Sequence, residues 1–184
     1  MDASLPPTMH YLGKNMSTEL LTEAFGRISA VVHSALHGAS IEVLTFRVDP
    51  GANTMAWLIW HLARVQDGHI AELVDQEQEW TAGGWVNRFA LPFDAEATGY
   101  RQSAGDVAAV RVDAQLLAGY YDAVHARTID YLQTLTDADF ARVVDTSWDP
   151  PVTLAVRLIS ILSDDLQHAG QASYVRGLAM RAGL

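Results

Sequence analysis

The sequence contains no cysteine. That absence removes disulfide staples, thiolate metal sites, iron–sulfur clusters and a cysteine nucleophile together, and it leaves the redox compartment open. Positive charge is scarce as well: 12 Lys+Arg stand against 22 Asp+Glu, a formal net charge of −10. Nucleic acids and anionic membrane surfaces both call for a cationic face, so neither is an expected partner. No run approaches the ~18 consecutive apolar residues of a membrane span. The start, Met1-Asp-Ala-Ser-Leu-Pro-Pro, has neither the basic nor the apolar region of a signal peptide. A cytoplasmic protein is the expectation. Catalytic loop motifs are missing too. Gly83-Gly84 precedes no Lys-Ser/Thr, and there is no G-x-S-x-G elbow and no H-E-x-x-H pair. Without repeats, low-complexity tracts or a shift in composition, residues 1–184 read as one domain.

What is present is apolar material at helical spacing. With 49% hydrophobic and 18% charged residues the chain is of globular type. Leu21, Phe25, Ile28, Val32 and Ala35 form a stripe over about residues 17–36, with Ser17 as a start signal and Gly38 as a stop. A second stripe follows Pro50-Gly51, capped by Asn53 or Thr54, and runs to about Gln76. A third covers about residues 113–135 through Leu117, Tyr121, Val124, Thr128 and Tyr131. The fourth follows Pro150-Pro151 and covers about residues 153–180; neither proline fits inside a helix, so its start is well marked. Residues 41–48 look strand-like but lack a partner strand, and are read as an extended connection. Residues 77–112 show no sustained period and hold Trp80, Trp85, Phe89, Phe93 and Tyr100; they are a lid, a binding wall or a packed crossover. Together these predict an all-α four-helix bundle with a long irregular crossover between helices 2 and 3.

Asp164 and His168 on the fourth helix lie one turn apart, ~40° around the axis, and point at the same cavity. His61 on the second helix sits among Trp57, Leu58, Trp60, Leu62 and Val65, on a face that has to be buried. One carboxylate oxygen and two imidazole nitrogens make a ligand set suited to Zn²⁺, Ni²⁺, Fe²⁺ or Mn²⁺, with positions left open for water or substrate. Spacing alone allows a plainer reading, in which His61 is a core residue bonded to a carbonyl and Asp164 pairs with Arg157. Shared ligands should converge within ~3–4 Å at their side-chain ends. Asp165, ~100° away, faces another helix or solvent. His69, ~12 Å along the helix from His61, is too far to share an ion and reads as a structural or outer-pocket residue. His33 and His37 read as surface residues, His125 as a surface or packing residue, and His10 belongs to an unplaced N-terminal arm. Gly170 and Gly177, each costing ~1 kcal/mol against Ala in a helix, suggest close helix–helix approach.

The string Gly51-Ala-Asn-Thr-Met-Ala-Trp-Leu-Ile-Trp-His61-Leu-Ala-Arg-Val-Gln-Asp-Gly-His69 resembles the second helix of the DinB-like superfamily. Ser163-Asp-Asp-Leu-Gln-His168-Ala-Gly-Gln171 and its continuation to Gly177 resemble that superfamily's last helix. Leu91-Pro-Phe-Asp94, Thr98-Gly-Tyr100 and Trp148-Asp-Pro-Pro-Val-Thr153 fit a little-characterised branch near the mycothiol-dependent maleylpyruvate isomerase-like proteins, so the likeness spans about residues 15–182. The resemblance implies an up-down-down-up bundle, often dimeric, with a divalent metal held by a second-helix His and an H-x-x-x-H pair on the last helix. By position these are His61 and His168, with Asp164 standing where the first His of the pair would be; the maleylpyruvate isomerase branch carries an acidic residue there. The implied cofactors are a divalent metal, Zn or Ni before Fe or Mn, and a low-molecular-weight thiol such as mycothiol.

Three functions follow from this resemblance. The first is a metal-dependent thiol S-transferase or isomerase acting on a small electrophile. There His61, Asp164 and His168 are ligands, Gln171 orients a ligand or water, and Arg157 pairs with Asp164 or with a substrate carboxylate. The second is a metal-dependent hydrolase of a small amide or ester. The third is a non-enzymatic, stress-associated metal- or ligand-binding homodimer joined through apolar outward positions of the first and last helices.

Overall fold

Each long helix starts where a short polar side chain can cap it. Thr54 Oγ1 accepts from Trp57 N at 3.1 Å and opens Met55–Val74. Asp113 Oδ1 accepts from Leu116 N at 2.7 Å and opens Ala114–Gln133. Thr153 caps Leu154–Arg181, directly after Pro150-Pro151. Such caps satisfy amide groups that a helix start otherwise leaves unpaired. The computed structural model describes residues 16–184; His10 and the N-terminal stretch read for a signal lie outside the described residues.

In chain order the elements are α1 (Met16–Leu36), α2 (Ile41–Leu44), α3 (Met55–Val74), α4 (Glu79–Ala82), α5 (Trp85–Phe89), α6 (Ala104–Ala109), α7 (Ala114–Gln133), a 3-10 turn (Asp137–Ala141), β1 (Val143–Asp145), β2 (Val152–Thr153) and α8 (Leu154–Arg181). The four long helices are those the periodicity marks, within one or two residues at their ends. Helices α1 and α3 sit diagonally, each packed on both α7 and α8. Cross-contacts fix direction. Arg176 near the end of α8 bonds Ala35 O and His37 O at the end of α1, so these two run parallel. His33 meets Asp122, so α1 and α7 are antiparallel. Arg157 reaches His69 while His61 meets His168, so α3 and α8 are antiparallel. The result is the all-α, up-down-down-up bundle expected. Among the described residues no helix is long and apolar enough to cross a membrane.

Three local expectations need correction. Residues 41–48 are not an extended connection: Ser40 Oγ accepts from Val43 N and starts the one-turn helix α2, whose Val43 and Leu44 are buried. A cap and two apolar anchors outweigh the β-branched composition. The crossover is not wholly irregular, since it contains α4, α5 and α6. It is also packed: Trp80 lies 5.0 Å from Phe89 and 5.1 Å from Tyr120, ring centre to ring centre, and is 3% exposed. Finally, Val143 pairs with Thr153 in a small antiparallel ribbon, β1–β2, that periodicity does not reveal because its strands hold only three and two residues.

The crossover determines the character of α3. Bundle helices normally leave one side to solvent, yet every residue from Met55 to Arg64 is buried. The bundle covers one side of α3, and the crossover covers the other. Whatever α3 presents to the crossover is therefore held in a dry, fixed setting.

Candidate metal centre

His61, 8% exposed, projects from α3 between the crossover and α8. Its ring stacks on Trp57, centres 4.6 Å apart and planes at 14°. Its Nδ1 lies 2.5 Å from Thr98 O. A carbonyl accepts only, so Nδ1 carries the hydrogen and Nε2 keeps a free lone pair. Burial lowers the His61 pKa, partly offset by the Thr98 bond, and so favours the neutral ring that a metal requires.

Gly99 makes this contact possible. Its φ is +102°, and a Cβ there would come within 2.5 Å of His61 Nδ1 and 3.0 Å of Trp57 Cζ2. Only glycine lets the backbone lie this close at that dihedral. Gln102 ties the same turn down, its Oε1 accepting from Trp57 Nε1 at 2.7 Å.

From α8, His168 and Asp164 face His61. The two imidazole centres are 4.9 Å apart at 72°. His168 Nε2 lies 3.6 Å from Asp164 Oδ1, and its Nδ1 lies 2.8 Å from Gln171 Oε1. Gln171 thus does for His168 what Thr98 does for His61: it takes the Nδ1 hydrogen and leaves Nε2 free. The Asp164 carboxylate beside it raises the His168 pKa, with burial opposing. One ligand atom from each of His61, Asp164 and His168 lies within 4.8 Å of the others, and among the described residues this is the one such grouping of three. The set is somewhat wider than the ~3–4 Å expected of ligands closed on an ion. Asp164 Oδ2 is buried with no hydrogen-bond partner. A buried, unpaired carboxylate oxygen is costly, and a cation is the group that would satisfy it.

Other sequence-marked residues fall elsewhere. Arg157 does not pair with Asp164; its Nη2 bonds Asp145 Oδ2 at 2.8 Å and its Nη1 lies 3.3 Å from His69 Nδ1. The ribbon strand β1 supplies that partner, which a helix-only reading lacks. His69 lines this neighbouring pair, as an outer-pocket residue would. His33 is a half-exposed residue beside Asp122, and His125 packs on Tyr121. Gly170 does not serve close helix approach within the chain, because a Cβ there would meet nothing within 4 Å; at Gly177 it would make only ordinary contact with Arg181 at 3.5 Å. Asp165 faces other helices and not solvent. It is wholly buried, and burial, with Asp164 adding to it, holds its carboxyl pKa well above the usual range.

Sequence reasoning missed Thr98 and Gly99 as supports of His61. The Thr98-Gly-Tyr100 string stood out only as part of a resemblance, because a backbone carbonyl leaves no trace in side-chain pattern. It also missed Arg64 and Asp67, which bind the crossover at Gln78 and Glu79.

The family model of the DinB superfamily matches residues 24–172. The chain belongs to the DinB superfamily. A conserved protein from Enterococcus faecalis has a solved structure that superposes with a TM-score of 0.85 at 31% identity, covering 91% of this chain and 99% of that one. A DinB-like protein from Bacillus cereus ATCC 10987 superposes at 0.55 with 18% identity, over 90% and 93% of the two chains, and shares the fold. No curated protein matches the chain. The His/Asp/His grouping fits a DinB-superfamily bundle.

Proposed function

We propose that this DinB-superfamily protein is a divalent-metal-dependent enzyme that uses a low-molecular-weight thiol, transferring it to a small electrophile or using it to isomerise one. The observation that carries this reading is the convergence of one ligand atom each from His61, Asp164 and His168 on two facing helices, with Asp164 Oδ2 buried and unpartnered. Three protein ligands leave coordination positions for an exogenous group. A bound divalent ion supplies Lewis acidity, lowering the pKa of a thiol or water at such a position. Thr98 and Gln171 hold the two rings in the ligating tautomer, and Trp57 with the Thr98–Gly99 turn keeps water from one side. The chain has no cysteine, so any thiol comes from solution. A cavity of about 330 Å³ beside Gln171, walled by Asn53, Leu58 and Tyr174, offers uncharged space next to the ligands.

The test uses full-length protein stripped by chelation. Zn²⁺ or Ni²⁺ should raise its melting temperature, and the shift should vanish in His61→Ala. Electrophile consumption should need both thiol and metal. Turnover with metal but no thiol would instead select hydrolysis of an amide or ester. Binding without turnover would leave a metal-binding bundle.

A further inference from the structure

We propose that His69 is a catalytic hydrogen-bond donor of this site, its Nε2–H meeting an oxygen of the electrophile at the far end of a groove that begins at the metal centre. The inference rests on the thiol-transfer reading and adds to it the residue that steadies charge building up on the substrate.

The groove follows from the burial pattern of two facing helices. Between His61 and Ile70, Val65, Gly68 and His69 are the residues of α3 that are not buried. Opposite them on α8, Arg157, Asp164 and His168 are half-buried, seven and four residues apart, which keeps them on one helix face. His61 meets His168 at one end and His69 meets Arg157 at the other, a run of roughly 12 Å along α3. Side chains on a helix lean toward its N-terminus. Because α3 and α8 are antiparallel, His69 leans back toward His61 while Asp164 leans toward Arg157. The two therefore approach each other, and Asp164 is near enough to act on the His69 pKa.

The hydrogen on the His69 ring is assigned by its neighbour. Arg157 Nη1 lies 3.3 Å from His69 Nδ1, and Arg157 is itself held by Asp145 Oδ2 at 2.8 Å. Arginine only donates, so Nδ1 accepts and the hydrogen of the neutral ring sits on Nε2. Glu72 Oε2 stands 3.8 Å from the same nitrogen, beyond hydrogen-bond distance, on a mostly exposed side chain. Burial lowers the His69 pKa, Arg157 adds to this, and Glu72 and Asp164 oppose, so the neutral ring is favoured. Both neighbours of Nδ1 lie on the side of His69 away from the metal centre, Glu72 further along α3 and Arg157 two turns before Asp164 on α8. Nε2 is turned the other way, back along the groove, and among the described residues it has no hydrogen-bond partner. His61 and His168, whose Nδ1 atoms face acceptors, offer lone pairs to the groove; His69 offers an N–H.

That donor suits an electrophile whose reacting carbon is activated by an oxygen. As the thiol sulfur bonds to this carbon, the displaced electron pair collects on the oxygen. His69 hydrogen-bonds to it and keeps its own proton, and water supplies the proton that completes the product. A donor fixed in advance where charge develops lowers the barrier without reorganising.

Two measurements on the full chain test this role. At pH 8 without metal, the imidazole nitrogen-15 spectrum should show His69 as the Nε2–H tautomer. An Nδ1–H ring there would overturn the proposal whether or not the protein has activity. With Zn²⁺ and mycothiol, N-ethylmaleimide and benzyl bromide then serve as electrophiles with and without an acceptor oxygen. His69→Phe should lower the ratio of their kcat/KM values, maleimide over bromide, about 10–100-fold. His69→Gln, which keeps an N–H at similar reach, should restore part of that ratio. Equal losses on both electrophiles would mean a purely structural His69 and would overturn this role alone. No turnover of either electrophile by the wild type would overturn the thiol-transfer reading, and this role with it.

Discussion

Two buried polar clusters lie within two turns of each other on α3, and they differ in one respect. Around Asp67, every polar atom of the carboxylate has a partner. Oδ1 accepts from Glu79 N at 2.9 Å, and Oδ2 accepts from Trp80 N and the Tyr120 hydroxyl, both at 2.8 Å. Fully buried Arg64 donates to Ala95 O, Ala97 O and Gln78 Oε1, with its guanidinium 4.9 Å from the centre of the Trp80 ring. Around His61 the rings are equally well held, yet Asp164 Oδ2 has no partner, and one ligand atom from each of His61, Asp164 and His168 lies within 4.8 Å of the others. The first cluster is closed: it fastens the crossover to α3. The second is open on the side where its acceptors converge. A polar cluster complete within the chain contributes to structure, and one completed by something else is a binding site.

The comparison breaks first at Asp67. Asp67→Ala strips Arg64 of its counter-charge and orphans two amides, which should cost about 3–5 kcal/mol in urea unfolding of the metal-free protein. Asp164→Asn in the same assay should change stability by less than about 1 kcal/mol, because this partly exposed carboxylate meets only His168, at 3.6 Å. Equal losses in the two variants would erase the distinction. Metal should narrow the gap between them: at 100 times its dissociation constant it adds about 2.7 kcal/mol to the wild type and to Asp67→Ala, and nothing to Asp164→Asn. A smaller effect is expected at the turn over His61. The Cβ of Gly99→Ala would collide with Nδ1 and displace Thr98, so metal affinity by competitive titration should fall about 10–100-fold. Unchanged affinity would show that the Thr98 carbonyl does not support the ligand.

The contrast also explains what could be read from the residues alone. Helix starts were legible because Thr54, Asp113 and Thr153 are side-chain caps at positions where apolar periodicity begins. The His61, Asp164 and His168 grouping was legible because i, i+4 spacing is a helix property and the resemblance placed His61 opposite it. Arg64 and Asp67 were not. On a helix read as amphipathic they look like its wet side, and only the crossover, whose path has no period, buries them. The Arg157–Asp145 pair was hidden for a similar reason, its acid sitting on a three-residue strand. Short elements and backbone acceptors leave little in the pattern, and they are what complete both clusters.

His125 sharpens the rule at its lower limit, because an unsatisfied atom alone should not make a site. Its Nδ1 is buried without a partner, like Asp164 Oδ2, and its ring stacks on Tyr121 at 5.8 Å. Among the described residues, however, no set of three ligand atoms converges there. Burial lowers the His125 pKa, with Asp122 opposing. The sign follows. Unfolded His125 titrates near 6.5 and folded His125 below that, so the unfolded state takes up the proton first as pH falls. The stability due to neutral His125 is complete above about pH 6.5 and declines below it, levelling off under the folded pKa. The slope stays below the single-group ceiling of about 1.4 kcal/mol per pH unit. His125→Phe should therefore gain on the wild type between pH 6.5 and 5, measured by urea unfolding of the metal-free protein. Repeating the pair with Zn²⁺ at pH 8, where neutral ligand histidines are favoured, should shift both proteins equally. A metal-dependent difference at His125 would mean that one orphaned nitrogen suffices to recruit an ion, and that convergence is not what separates the two clusters on α3.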